Sequence, residues 1–281
     1  MTFNLLKFFN PLKMAILAIL AIFIFLNQNL VLAENIKPRP LPKKMERTYL
    51  YDIVFGGFLN LGQATFSFFK EENNFKVILK VIPSGIAGFL SGHKEEYFEA
   101  KGKIKGDQLL TKSFIRKRKR EDHTIKSLHL FHHTEKKIQL SEWKVIGKKE
   151  KRTKKPKWLD FYVKRDVIAS FFDLSLKLYQ KSLTEKPFTF ETVTLGEDKN
   201  KMSIYKEIEE KKGDIFKVEL YEFNKKTKKH YGKKTFILKA GKSGQFNSII
   251  IENLFWLGDL VGNLVDNKKT LKVTNQKKGL W

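Results

Sequence analysis

The chain contains no cysteine. That absence excludes disulfides, thiolate nucleophiles and zinc–sulfur sites together, and lipid attachment at an N-terminal cysteine with them. Proline is sparse, 7 in 281 residues, while Phe reaches 25 and apolar residues 42%. That mix suits a packed fold and argues against general disorder. Acidic residues are few, 30 against 55 Lys and Arg, for a formal charge of +25. Lys7 and Lys13 are the only charges in residues 1–33, so +23 of that total belongs to the remainder. Such a balance favours anionic partners: lipid head groups, lipopolysaccharide phosphates or nucleic acid. The abundance of Lys, Ile, Asn and Phe equally fits an AT-biased genome, so charge alone assigns no partner.

One long apolar run stands out. Met14–Leu26 is uninterrupted over 13 residues, within the roughly 7–15 of a signal-peptide apolar region and short of the about 20 that a spanning helix needs. Lys7 and Lys13 precede it, and Asn27, Gln28 and Asn29 end it. Val31 and Ala33 then place small side chains three and one residues before Glu34, predicting cleavage between Ala33 and Glu34. The alternative is an uncleaved anchor over residues 1–33 with its lysines in the cytoplasm. Either reading exports the rest of the chain, to the periplasm or the outer face of the inner membrane of a Gram-negative bacterium. Residues 34–47, with Pro38, Pro40 and Pro42 among basic residues, read as a short stiff spacer. Residues 48–275 read as a single domain.

Within that domain the apolar period is mainly two. Tyr49, Tyr51, Ile53 and Phe55 share one face, as do Ala64, Phe66 and Phe68, and then Phe75, Val77, Leu79 and Val81. These are half-buried antiparallel strands. Further strands are expected over Glu95–Ile104, Leu110–Ile115, Thr124–His132, Lys136–Leu140, Phe188–Val193, Met202–Ile208, Phe216–Phe223, Lys233–Leu238 and Phe246–Leu254. About ten residues per strand predicts a mainly β fold, an antiparallel barrel or half-barrel or a sandwich. One segment breaks the pattern. From Asp166 to Gln180 the apolar residues fall at steps of three and four, which predicts an amphipathic helix with Asp166 as its N-cap. Ser84–Leu90 reads as a greasy, glycine-rich connection, and the basic run 148–157 as a solvated insertion.

Few residues nominate themselves for chemistry. Arg116, Lys117, Arg118, Lys119 and Arg120 are five consecutive cations; side chains alternate along a strand, so both faces must be wet there. They read as a rim that meets anions, or as a solvated hairpin tip. Together with 148–157 and Lys225–His230 they could share one basic surface. His123, His129, His132 and His133 lie close in sequence, but with no helical H-x-x-x-H and little carboxylate support they read as surface histidines, and no metal is expected. Gly241-Lys242-Ser243 lacks the earlier glycine of a phosphate loop, since Phe236 stands there. There is no G-x-S-x-G elbow. No catalytic residue earns nomination and no cofactor is implied. The aromatic residues are mainly core; some could line an apolar cavity, with Phe171, Phe172, Leu174 and Leu178 on the helix as the expected acyl-chain contacts.

Three stretches carry a resemblance. They are Tyr51–Ala64 with its glycine–turn–glycine order, Arg165–Ser170 at the helix start, and Phe246–Val265 with Gly262. Across roughly residues 47–275 the chain resembles a bacterial envelope family known as domain of unknown function 3108. The resemblance implies an exported antiparallel β fold, similar in outline to the half-barrels that carry lipids or lipoproteins across the periplasm.

The leading expectation is a non-enzymatic envelope protein that binds lipid or lipoprotein acyl chains. The alternatives are a structural or assembly module that binds another envelope protein, and a hydrolase of an envelope polymer. The expected partners are a lipid or anionic membrane surface, or an envelope protein, rather than nucleic acid.

Overall fold

The computed structural model describes residues 42–85, 95–106, 108–120, 122–180, 188–193, 199–210, 213–224, 229–241, 245–251 and 259–265. The cleavage site at Ala33 and Glu34, most of the Ser84–Leu90 connection, Lys242–Ser243 and the side chains of Leu178 and Lys225–His230 lie outside them.

Eight strands come first: β1 (Lys44–Phe55), β2 (Leu59–Glu71), β3 (Asn74–Pro83), β4 (Glu96–Lys105), β5 (Gln108–Lys119), β6 (Thr124–His132), β7 (Lys137–Ile146) and β8 (Lys149–Trp158). The helix α1 (Val167–Gln180) follows. Six more strands complete the order: β9 (Phe188–Val193), β10 (Lys199–Glu210), β11 (Gly213–Asn224), β12 (Lys229–Ala240), β13 (Phe246–Ile251) and β14 (Leu260–Leu264). All pair into one 14-stranded antiparallel sheet in the order β8-β7-β6-β5-β4-β3-β2-β1-β14-β13-β12-β11-β10-β9. The chain is thus two meanders, β1–β8 and β9–β14. The β1–β14 pairing, Tyr51 opposite Leu264 through Phe55 opposite Leu260, fuses them in the middle. A buried Tyr51 hydroxyl reaches past β14 and donates to the Phe246 carbonyl at 2.9 Å.

The expected fold class, mainly antiparallel β with one amphipathic helix, is the one observed. The alternation of apolar residues explains it. Phe68, Val77, Phe98, Ala100 and Phe114 come from successive strands of the first meander, are essentially inaccessible, and pack with Ile168, Ala169 and Phe172 of α1. A second cluster joins Leu174 of α1 to Met202, Phe216, Val218 and Leu238 of the second meander. The helix therefore lies between two arms of one sheet. Backbone bonds require that sheet to curl: Thr111 of β5 donates to Lys164, and Val193 of β9 donates to Arg165, although many strands separate β5 from β9 in the sheet.

Several strands run past their expected ends, and two differences have a clear reason in the sheet. Strand β1 begins at Lys44, ahead of Thr48, because Met45 is buried in the first cluster and Lys44 pairs with Glu71. The basic run expected as a solvated loop is a strand, β8, paired with β7 along Ile146–Lys149 to Gln139–Trp158. Every residue of it is exposed. As the last strand in the sheet it needs only backbone bonds on one side, so lysines can occupy both of its faces.

Gly62 is fixed by a close approach. Its φ is +141°, and a Cβ there would sit 2.3 Å from the Ile82 carbonyl oxygen. The β1–β2 register also shifts beside it, between Ile53 and Val54.

Candidate functional site

The start of α1 is held by a closed polar cluster. Asp166 accepts from the Ala169 amide at 3.0 Å through Oδ1 and from the Thr111 hydroxyl at 2.7 Å through Oδ2. That is N-cap geometry, satisfying an amide the helix itself cannot. Ser170 Oγ donates to the Asp166 carbonyl at 2.8 Å. Arg165 forms a buried ion pair with Asp173 and stacks over Phe190. Burial is the main influence on Asp166; it outweighs the bonds from Thr111 and Ala169 and pushes its pKa up to about 6.

His133 extends the cluster. Its Nε2 lies 2.7 Å from the Thr111 carbonyl, which can only accept, so Nε2 carries the proton. Its Nδ1 then accepts from the Tyr162 hydroxyl at 2.6 Å. Burial lowers the pKa of His133 and favours this neutral form. Both ring nitrogens are thereby engaged, and among the described residues no three metal-ligating side chains converge. Thr111, Asp166, Ser170 and Thr192 have no exposed surface. The cluster ties β5, α1 and β9 together; no solute reaches those four side chains.

The basic run of β5 divides between the two faces. Arg116 stands opposite Phe98 and Arg118 opposite Glu96, on the face that packs against α1. Both guanidinium groups bond Glu96: Arg116 Nη2 at 2.9 Å and Arg118 Nε at 2.9 Å. Two cations thus share one carboxylate. Lys117 lies over the Tyr97 ring on the other face, where Lys119 pairs with Glu95. Arg120 is exposed beyond the strand. The five cations are therefore not one patch.

On α1, Phe172 stacks on Phe68 and Leu174 is fully buried. Phe171 is half-buried and meets Phe236 edge-on. These three side chains are brought into the two core clusters, where they contact protein on the sheet.

At the opposite end of β1–β5 from Arg116 lies a groove of about 520 Å³. Lys44, Lys70, Lys76, Lys101 and Lys112 border it together with the acids Glu46 and Glu71, and the half-buried Phe69 supplies apolar surface, while Met45 and Phe75 beneath it belong to the core. Lys70 is buried and donates to the carbonyls of Pro42 at 2.6 Å and Lys43 at 3.3 Å. Lys76 and Lys101 flank Glu99 at 3.3 and 2.7 Å. Burial pushes the Glu99 pKa up, but the bonds from Lys101 and Tyr97 and the charge of Lys76 overcome it, and the net shift is downward. Lys44 and Lys112 are exposed at the rim. Sequence reasoning did not find this groove, because its lysines stand singly on separate strands. Among the described residues no helix is long and apolar enough to cross a membrane.

No family model matches the chain, and no curated protein matches it. The resemblance to domain of unknown function 3108 is therefore carried no further. Among solved structures the chain is similar to a beta-barrel-like protein of domain of unknown function 1849 from Brucella abortus. The two are 12% identical, the match covers 82% of this chain and 98% of that one, and the TM-score is 0.47.

Proposed function

We propose that the chain is a non-enzymatic protein of the bacterial cell envelope that binds an anionic amphiphile in the lysine-bordered groove. Cleavage before Glu34 would release it to the periplasm. The groove carries the reading. It sets five lysines against two acids, Glu46 and Glu71, beside the half-buried Phe69, and its volume falls in the range of roughly 300–1,000 Å³ common for small-molecule sites. An acidic head would meet ammonium groups, while the first carbons of an acyl chain would cover the apolar wall. Lys76 and Lys101 are partly neutralised by Glu99. With Glu46 and Glu71 also in the lining, the selectivity for negative charge rests on the excess of lysines, of which Lys44 and Lys112 are the exposed ones. Arg116 and Arg118, with their shared Glu96, offer a second anion contact on the helix-bearing face.

Calorimetric titration with lysophosphatidylglycerol and with lysophosphatidylcholine tests this. The anionic lipid should bind at least about tenfold more tightly, and Lys44→Glu with Lys112→Glu should remove that preference, a change of about 1.4 kcal/mol. Equal affinity for the two lipids in the unaltered protein would refute the reading.

A further inference from the structure

Strand β8 is strongly one-sided in charge, and the groove does not use it. Its ten residues contain six cations, Lys149, Lys151, Arg152, Lys154, Lys155 and Lys157, against one acid, Glu150. All ten are exposed. The strand terminates the sheet, so both of its faces and one backbone edge lie open. Lys154 pairs with Glu142 at 3.2 Å, and Glu150 is drawn to Lys126 at 3.1 Å. On β7, Trp143 lies between Lys126 and Arg152, 5.1 and 5.5 Å from its ring, which adds Lys126 to the same surface. The paired strands also carry exposed apolar side chains at both ends, Ile146 at 55% and Trp158 at 48% exposure.

We propose that β8 and the adjoining part of β7 form a docking surface for an anionic lipid bilayer. An edge strand needs only a proline or an inward charge to discourage unwanted pairing; Pro156 supplies that, and the excess of six cations over one acid goes well beyond it. Lysine stems are long enough to reach a plane from either face of a strand presented edge-on. Cations near an anionic leaflet add their attractions roughly one by one. Trp158 and Ile146 suit the boundary between head groups and acyl chains, where aromatic and aliphatic side chains gain on leaving water. A flexible polyanion would make use of the charge alone and leave both side chains in water. The surface is separate from the groove, so docking would bring the protein to a membrane without occupying its ligand site.

The test is co-sedimentation of the protein, as isolated, with vesicles of phosphatidylglycerol and phosphatidylcholine and with vesicles of phosphatidylcholine alone. The expected ratio of anionic to neutral binding is at least tenfold at low salt. Lys149→Glu, Lys151→Glu and Lys155→Glu together should bring that ratio near one, and the same three sites changed to Gln should lower it part-way. Lys44→Glu with Lys112→Glu should leave the ratio unchanged while weakening lysophosphatidylglycerol binding, so this inference and the groove reading fail separately. A ratio near one in the unaltered protein, or one that survives both β8 variants, would overturn the proposal. Tighter binding to duplex DNA than to the anionic vesicles at equal ionic strength would also overturn it, in favour of a nucleic-acid surface.

Discussion

At the scale of single residues, Asp166 has the largest consequence. It is completely buried and its pKa is raised to about 6 from 3.8. The folded state therefore holds this proton more tightly than the unfolded chain does. Stability contributed by the protonated carboxyl is full below about pH 4 and is lost as pH rises through about 6. The whole displacement is worth on the order of 3 kcal/mol, and roughly 2 kcal/mol of it falls between pH 4 and pH 7. Asn at this position keeps an acceptor for the Ala169 amide and carries no charge. Urea unfolding should accordingly show Asp166→Asn gaining about 2 kcal/mol relative to the unaltered chain on going from pH 4 to pH 7. An unchanged difference between the two proteins would show that Asp166 is not buried as described. Glu99 works in the opposite sense: its lowered pKa gives stability that is lost as pH falls. Gly62 is the second sensitive residue. Gly62→Ala would drive a methyl into the Ile82 carbonyl, and a loss of about 2 kcal/mol or more is expected in the same assay.

At the scale of elements, α1 was readable to within a residue. Its apolar steps of three and four are imprinted by packing on two sides, against Phe68 in one cluster and Met202 in the other. Phe172→Ala should therefore cost about 3–5 kcal/mol, measured as a shift of the unfolding midpoint, because Phe172 is buried against Phe68. Strands β2 and β3 were readable for the same reason: one face meets the helix and the other meets water. Strand β8 was not. It has no neighbour on one edge and no layer over either face, so no alternation was ever required of its side chains. The polar cluster was half legible. Asp166 has the residue type of an N-cap, but Thr111 and Thr192 come from strands and His133 from the turn after β6, all far away in sequence, and nothing local marks them as members of one cluster. The split of Arg116 and Arg118 from Lys117 and Lys119 follows from strand alternation, whereas their pairing with Glu96 needed the β4–β5 register.

At the scale of the whole molecule, net charge links the groove and the β8 edge. The positive balance of +25 over the full chain gives both sites a common long-range attraction, which salt weakens over about 10 Å at 0.1 M. Docking through exposed lysines should therefore fall away steeply between 50 and 500 mM salt. Binding in the groove should fall less, because Phe69 contributes apolar contact that salt does not screen. Native mass spectrometry of the protein taken from its own envelope fraction tests the central claim most directly. The expected spectrum has a chain beginning at Glu34 that retains an added mass of one acidic lipid, and Lys44→Glu with Lys112→Glu loses that mass. A bare chain under the same gentle conditions, or a retained lipid indifferent to the two substitutions, would contradict binding of an anionic amphiphile in the groove.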